Sequence, residues 1–195
     1  MSKEMETKNI MIVGVGGQGS LLASKLLGHL LLNEGYDVKV SEVHGMSQRG
    51  GSVVTYVRFG DKVYSPVVDK GEADFIVSFE ILETARWLPY LKQDGQIVTN
   101  TQQIAPMPVI TGAATYPEQL VEKIKSKGIK IDAMDCLTLA REAGSPKAVN
   151  IVLLGRLSHY FGIREEAWQE AMSAIVPPKF LELNLKAFAL GRNFS

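Results

Sequence analysis

The sequence predicts an α/β fold built on a mainly parallel sheet, and three stretches carry that prediction. Residues 10–13 (IMIV) are a short apolar run, typical of a strand buried on both faces. A glycine-rich turn follows at residues 14–19, and leucines then recur with helical spacing over residues 18–33. Asn33-Glu34-Gly35 ends that helix, and a second strand is predicted at residues 36–43. This order of strand, glycine turn, helix and strand is Rossmann-like.

A β-hairpin is predicted after this unit. Residues 52–59 are rich in β-branched and aromatic side chains, and Gly60-Asp61 separates them from residues 62–64. A two-residue turn between such runs joins antiparallel strands. We therefore expect an antiparallel hairpin added at one edge of the parallel sheet.

The rest of the chain alternates strands and helices before it becomes helical. Further strands are predicted at residues 73–79, 96–100 and 129–134. Helices are predicted at residues 80–90, 117–127, 137–143, 146–161, 164–175 and 178–190, with residues 101–116 mostly loop. The prediction is one α/β domain over residues 1–195, with a core at about residues 8–190, helices on both faces of the sheet and a helical C-terminal third.

Composition excludes several classes of function. Lys plus Arg and Asp plus Glu number 21 each, so no net field attracts nucleic acid or anionic lipid. Cys136 is the one cysteine, which excludes an internal disulfide and a cysteine-ligated iron–sulfur cluster held by this chain alone. The three histidines lack zinc-motif spacing. No signal-peptide core and no apolar run of the ~20 residues that span a bilayer are found. We expect a cytoplasmic protein with no membrane or nucleic-acid partner.

The glycine turn is a candidate site for an anion or a nucleotide. Gly14 is expected to allow the tight turn, Gly16 a close backbone approach to an anion, and Gly19 the packing of the helix on the strand. Glu42 ends the second strand, where a dinucleotide-binding fold places the acid that binds a ribose. A turn that binds nothing, and an exposed strand-end charge at Glu42, are the alternatives.

The loop at residues 44–51 (HGMSQRGG) is the most specific feature of the sequence. Adjacent glycines allow a backbone course that is closed to other residues. Arg49 carries a planar guanidinium that can bind a carboxylate or a phosphate through two hydrogen bonds. A solvated arginine on a surface loop is the alternative. The candidate binding residues are those of the turn, the strand end and the loop: Gly14, Gly16, Gly17, Gln18, Gly19, Glu42, Ser47, Gln48, Arg49, Gly50 and Gly51.

Other residues are weaker candidates. His44 has no acid or nucleophile paired with it by spacing, and Cys136 is expected to be a buried, inert thiol. Asp132 and Asp135 either contact a ligand at a strand end or cap a helix. Asn150 lies in an apolar helix and needs a partner if it is buried, so it is a candidate for holding a loop in place. No catalytic triad, metal cluster or carboxylate pair emerges, and no catalytic residue is predicted.

Three segments together resemble a known family. Residues 14–19 (GVGGQG), 42–53 (EVHGMSQRGGSV) and 150–155 (NIVLLG) are similar to the gamma-type domain of 2-oxoacid:ferredoxin oxidoreductases, above all in the branch that acts on indolepyruvate. The resemblance implies a subunit, without a redox centre of its own, of a complex that oxidatively decarboxylates an aryl 2-oxoacid such as indolepyruvate. The products are an acyl-CoA, CO2 and reduced ferredoxin. It further implies a large (alpha) subunit that carries thiamine diphosphate and [4Fe-4S] clusters, coenzyme A as co-substrate, and no cofactor held tightly by this chain.

Two other functions remain open on the residues alone. One is a free-standing NAD(P)-binding oxidoreductase that uses the glycine turn and Glu42, and the other is a nucleotide-sensing module. A dehydrogenase also needs a substrate domain with a proton donor, and little chain is left to build one. The subunit hypothesis is favoured because it alone accounts for residues 47–51. The isolated chain is then expected to be inactive and to expose an apolar patch through which it can homodimerise. By resemblance, its host is anaerobic or microaerophilic.

Overall fold

A six-stranded sheet lies at the centre of the computed structural model, which describes residues 6–42 and 50–194. The strands are β1 (Lys8–Val15), β2 (Asp37–Glu42), β3 (Ser52–Gly60), β4 (Ala73–Ser78), β5 (Leu91–Asn100) and β6 (Lys130–Met134). Their order across the sheet is β2-β3-β1-β4-β5-β6. β1, β4, β5 and β6 are mutually parallel, whereas β3 is antiparallel to both of its neighbours. The predicted mainly parallel α/β sheet is confirmed.

Helices cover both faces of this sheet. They are α1 (Ser20–Asn33), α2 (Ile81–Trp87), α3 (Met107–Ile110), α4 (Leu120–Lys125), α5 (Cys136–Ala143), α6 (Val149–Ser158), α7 (Glu165–Ile175) and α8 (Pro178–Arg192). No helix within residues 6–42 and 50–194 has the length and apolar composition needed to cross a membrane.

β1 divides the core into two layers because alternate side chains of a strand point to opposite faces. Ile10 and Ile12 pack in the larger layer with residues of α1, α5, α6, α7 and α8. Met11 and Val13 pack in the smaller layer, which includes Ile124 of α4 and residues at the end of α2. All four side chains are fully buried, as the apolar run of the first strand predicts.

The predicted hairpin between residues 52–59 and 62–64 is wrong, both in the strand that pairs with residues 52–59 and in its position at the edge of the sheet. β3 pairs with β2 on one side and with β1 on the other, so it lies inside the sheet. Its apolar residues are buried along most of its length, as in a strand that is covered on both faces. Residues 62–64 form no strand; the Val63 N–H donates instead to the Asp37 carboxylate at 2.8 Å.

Two element ends differ from the prediction near β5. α2 ends at Trp87, and a 3-10 turn over Leu88–Tyr90 follows, since Pro89 lacks the N–H that a longer helix would need. β5 begins at Leu91 rather than at residue 96, so Asp94-Gly95, a dipeptide typical of turns, lies inside the strand. Asp94 has φ 52°, and the pairing of β5 with β4 shifts register nearby. The Asp-Gly pair therefore produces a local irregularity in the pairing of β5 with β4 and does not end the strand.

Two other helices start later than predicted. The helix predicted at residues 117–127 is α4, which starts at Leu120 after Gln119 in a left-handed conformation. The helix predicted at residues 146–161 begins as a 3-10 turn over Pro146–Ala148, which Ser145 caps by accepting a hydrogen bond from the Lys147 N–H. The α-helix α6 starts only at Val149.

α6 and α8 cross with their backbones in contact. A Cβ on Gly155 of α6 would lie 2.1 Å from the Phe188 carbonyl oxygen, and a Cβ on Gly191 of α8 would lie 2.0 Å from the Val152 carbonyl oxygen. Only glycine fits at either position. The crossing fixes α6, and with it Asn150, against the end of the sheet that carries the glycine turn.

Replacing Gly155 with alanine tests this crossing. Gly155→Ala forces the two helices apart, and we expect a loss of about 3 kcal/mol in the free energy of unfolding, measured in urea. Gly162→Ala is the control, because no atom lies within 4 Å of its Cβ position, and its effect should stay within about 0.5 kcal/mol. Equal unfolding midpoints for both variants would contradict the proposed contact.

Candidate binding site at the carboxyl edge of the sheet

The carboxyl edge of the sheet brings together the described candidate residues. β1 ends at Val15 and continues into the glycine turn. Because β3 is antiparallel, its first residue, Ser52, pairs with Val15, and Glu42 at the end of β2 pairs with Thr55. Gly50 and Gly51 directly precede Ser52 and reach the same edge. The remaining candidates, Ser47, Gln48 and Arg49, lie outside the described residues, as does His44.

Gln18 braces the glycine turn from within. Its side-chain oxygen accepts a hydrogen bond from the Val15 N–H at 2.7 Å. Its side-chain nitrogen donates to the Phe79 carbonyl at 3.1 Å and to the Gln102 side-chain oxygen at 3.3 Å. The amide thus joins the turn to the segments that follow β4 and β5. Gln18 was predicted to bind a ligand, but its amide is already engaged on both sides inside the chain.

The tight part of the turn lies later than predicted. Gly14 is inside β1, where a Cβ would lie 2.8 Å from the Gln18 side-chain oxygen and 2.9 Å from Phe79 Cβ. Its role is therefore to leave room for the Gln18 amide rather than to allow the turn. The left-handed conformations fall at Gly17, with φ 99°, and at Gly19, with φ 90°.

Gly16 and Gly19 each make a contact beyond the turn. The Gly16 N–H donates to the Gly51 carbonyl at 2.9 Å and fastens the turn to the start of β3, while the role of Gly16 in approaching an anion stays a prediction. Gly19 makes room for a helix other than the predicted one: its Cβ position is 3.0 Å from the Asn150 side-chain nitrogen. That nitrogen donates to the Gly19 carbonyl at 3.3 Å, and the Asn150 oxygen accepts the Ile151 N–H at 2.9 Å. The prediction that buried Asn150 holds a loop in place is confirmed.

A cleft of about 300 Å³ opens over the turn. It is lined by Gly16, Gly17, Gly19, Ser20, Leu21, Glu42 and residues 53–55. No side chain caps the first turn of α1, so the positive end of this helix borders the cleft. Glu42 makes part of the lining acidic, and its carboxylate accepts a hydrogen bond from the Ser24 hydroxyl of α1 at 2.7 Å.

Glu42 is placed differently from the acid of a dinucleotide-binding fold. In that fold the acid ends the strand next to β1. Here β3 occupies that position and β2 lies one strand further out. Glu42 is therefore a wall of the cleft, but the neighbouring-strand geometry on which the ribose interpretation depends is absent.

A second cleft, of about 230 Å³, lies on the other side of residues 50–52. It is lined by these residues and by Glu80, Glu83, Arg86 and residues 104–107, among others. Glu80 and Glu83 are only 1% and 4% exposed, and neither is among the binding residues predicted from the sequence. Their position in the sequence could have identified them as candidates. Both acids follow the carboxyl end of the strand predicted at residues 73–79, where α/β folds place ligands.

Glu80 joins α2 to the segment after β5. One carboxylate oxygen accepts the Glu83 N–H at 2.8 Å and caps the helix. The other accepts the Ile104 N–H at 3.0 Å and the hydroxyl of Tyr116. Burial, together with this hydrogen bond to Glu80, raises the pKa of the Tyr116 hydroxyl well above its ordinary value, so it stays a proton donor.

The acids at the end of β6 serve the fold. Asp135 caps α5 by accepting the Thr138 N–H at 3.0 Å, and its hydrogen bonds with Thr138 lower the pKa of its carboxyl group. Asp132 forms an ion pair with Arg156 and accepts the Tyr160 hydroxyl at 2.7 Å. Neither acid lines the two clefts described above.

Cys136 is unsuited to redox or metal chemistry. Its side chain is completely buried, and burial raises the pKa of the thiol far above its ordinary value. The predicted inert thiol is confirmed. Within residues 6–42 and 50–194, no group of three or more His, Cys, Asp or Glu side chains is placed to hold a metal ion.

Replacing Gln18 tests the brace. Gln18→Ala leaves the Val15 N–H and the Phe79 carbonyl without their partner, and we expect a loss of about 1–3 kcal/mol in the free energy of unfolding. Gln103→Ala removes the same side chain from an exposed position in the segment after β5, and it should change stability by less than about 0.5 kcal/mol. If urea unfolding gives the same result for both variants, Gln18 does not brace the turn.

Comparison with known proteins agrees with the resemblance noted in the sequence. Residues 9–194 match the family described as pyruvate ferredoxin/flavodoxin oxidoreductase. Indolepyruvate oxidoreductase subunit IorB of Thermococcus kodakarensis is 47% identical over 194 residues, which cover 96% of this chain and 95% of the relative.

Solved structures share the fold. The gamma subunit of a keto/oxoacid ferredoxin oxidoreductase from Geobacter sulfurreducens superposes with a TM-score of 0.70 at 23% identity, over 95% of this chain and 96% of that one. The 2-oxoglutarate:ferredoxin oxidoreductase of Magnetococcus marinus, solved with 2-oxoglutarate, coenzyme A and succinyl-CoA bound, matches with a TM-score of 0.73 at 21% identity. That match covers 98% of this chain and 31% of the other. The chain therefore belongs to the pyruvate ferredoxin/flavodoxin oxidoreductase family, as an oxidoreductase subunit.

Proposed function

We propose that this chain is the small subunit of an indolepyruvate:ferredoxin oxidoreductase. The complex oxidatively decarboxylates an aryl 2-oxoacid to an acyl-CoA and CO2 and reduces ferredoxin. The supporting observation is the 47% identity to an indolepyruvate oxidoreductase subunit along 96% of the chain. Identity at that level over nearly the whole chain supports a shared function as well as a shared fold.

The redox cofactors are assigned to a partner. One buried cysteine, with its thiol pKa raised, does not fit the four thiolate ligands of a [4Fe-4S] cluster. In the complex, thiamine diphosphate supplies the carbon chemistry and the clusters carry the electrons. A large (alpha) subunit holds both groups, and ferredoxin reaches this chain only through the complex. The isolated chain is inactive and holds no cofactor tightly.

This chain contributes binding and orientation. We assign the Gly14–Gly19 turn and residues 47–51 to the wall of the oxoacid or coenzyme A site. The uncapped first turn of α1 favours a negatively charged group in the first cleft, which residues 53–55 also line, and residues 50–52 line the second cleft. Coenzyme A carries phosphates, and the oxoacid carries a carboxylate, so Arg49 matches either ligand. The Glu42 carboxylate, which is bonded to Ser24 of α1 and also lines this cleft, repels a negatively charged group and so favours its placement at the first turn of the helix.

The free-standing dehydrogenase is the second candidate. Its support is the glycine turn, and the position of Glu42 counts against it because β3 separates β2 from β1. The sensor hypothesis has the same support and the same difficulty. Both require the isolated chain to bind its nucleotide.

Purification from the native host tests the subunit assignment. We expect tagged chain, purified without oxygen, to bring down a brown complex with a large cysteine-rich subunit. That complex should reduce ferredoxin or a viologen dye only when indolepyruvate and coenzyme A are both present. A colourless chain that elutes alone and binds NAD(H) in titration would replace the proposal with the dehydrogenase or the sensor.

Arg49→Ala in the purified complex tests the site assignment. Loss of a charge-assisted hydrogen-bond pair costs about 1.5–3 kcal/mol, so we expect KM for coenzyme A or for the oxoacid to rise about tenfold or more. Arg141→Ala is the control, since this exposed arginine on α5 lines neither cleft. Unchanged assembly together with unchanged KM and kcat for both substrates would remove Arg49 from the site.

A further inference from the structure

Glu83 is a buried carboxylate that the proposed function leaves unused. Its side chain is 5% exposed, and three donors reach it. The Arg86 Nε donates at 2.9 Å, the Trp87 indole N–H donates at 3.2 Å, and the Ser52 hydroxyl donates to the same oxygen as the indole. A carboxylate is costly to bury, and here each of its oxygens is compensated by at least one donor.

The three donors differ in what they connect. Arg86 and Trp87 lie three and four residues after Glu83 on α2, so their bonds are local to one helical turn. Local pairs of this kind form on exposed helix surfaces and do not require burial. Ser52 lies 31 residues away in sequence and is the first residue of β3. Among these contacts, only the bond from Ser52 ties α2 to another element.

That bond acts where the candidate site is assembled. Ser52 pairs with Val15 at the end of β1, and the preceding Gly51 accepts the Gly16 N–H at 2.9 Å. A shift of Ser52 would therefore move Gly51 and loosen its bond to the glycine turn. The opposite wall of the second cleft is fixed from the same helix, because Glu80 at the start of α2 accepts the Ile104 N–H. Two acids of one helical segment, Glu80 and Glu83, therefore bond to residues on both sides of that cleft.

We propose that Glu83 is a positioning residue that holds residues 50–52 against the glycine turn through the Ser52 hydroxyl. It touches no substrate and acts through Ser52. This inference rests on the proposed function, because Gly50 and Gly51, two of the three residues held, are among those assigned to the oxoacid or coenzyme A site. Its consequence is that substrate affinity depends on a carboxylate buried behind the site.

The test compares Ser52→Ala, Glu83→Gln and the double variant in the purified complex. We expect each single variant to raise KM for coenzyme A or the oxoacid at least about threefold, while kcat stays within about twofold. The double variant should raise KM no further than Glu83→Gln alone, because two residues that act through one bond are not additive. Ser52→Thr keeps the hydroxyl and should restore KM. Ser173→Ala, which removes an exposed hydroxyl bonded within α7, should leave KM unchanged.

Hydrogen exchange on the chain alone gives a readout that does not need activity. The Gly16 amide is the probe, since its bond to the Gly51 carbonyl reports where residues 50–52 lie. We expect its exchange to be about tenfold faster in Ser52→Ala and in Glu83→Gln, and unchanged in Ser173→Ala.

The outcomes separate the two proposals. A wild-type complex that does not oxidise indolepyruvate overturns the proposed function, whereas the exchange result still decides whether Glu83 positions residues 50–52. If the wild-type complex is active, unchanged KM in both single variants overturns the positioning role. So does a double variant whose KM rises by the product of the single effects. Unchanged Gly16 exchange in both single variants overturns it as well.

Discussion

The hydrogen bonds of the Gln18 amide are the constraint on which the carboxyl edge of the sheet depends. Glycine allows the left-handed conformations that Gly17 and Gly19 adopt. The same freedom makes a glycine-rich turn flexible unless other groups hold it. Gln18 offsets that freedom by joining the Val15 N–H to the Phe79 carbonyl. Gly14 is required for the same reason, because a side chain there would collide with the amide. Gly14 and Gln18 therefore act together: the missing side chain at Gly14 leaves room for the Gln18 amide, and the amide holds the turn in place.

The antiparallel course of β3 decides what the edge contains. A parallel strand in this position would start at the opposite edge of the sheet and would bring residues 50–52 far from the glycine turn. Because β3 runs against β1, its first residues lie beside the end of β1, and the Gly16 N–H bonds directly to the Gly51 carbonyl. The same insertion moves β2 away from β1 and takes Glu42 out of the position that a dinucleotide site requires.

The parts of this arrangement that sequence predicts are those that depend on neighbours along the chain. The first strand, its turn and α1 follow from periodicity and glycine spacing, and the need of Asn150 for a partner follows from an amide in an apolar helix. The place of β3 depends on strand order, which local pattern does not encode. The pairing of Glu83 with Ser52 was not predictable for a similar reason, since the two residues are 31 apart in sequence. The assignment of Ser47, Gln48 and Arg49 to a binding site stays a prediction.

The groups that a ligand can contact at this edge are those that are not already hydrogen-bonded within the chain. Gln18, Asn150, Glu80 and Glu83 are each engaged with other parts of the chain, and their bonds hold the turn, the start of β3 and the segment after β5 in place. A ligand would meet backbone amides at the first turn of α1 and the glycines of residues 50–51, in clefts whose widths are already set. In the proposed function, such a surface would bind and orient a charged group without a reorganisation cost. Binding and orientation are what the proposal asks of this chain, since it assigns the reaction centre to the partner subunit.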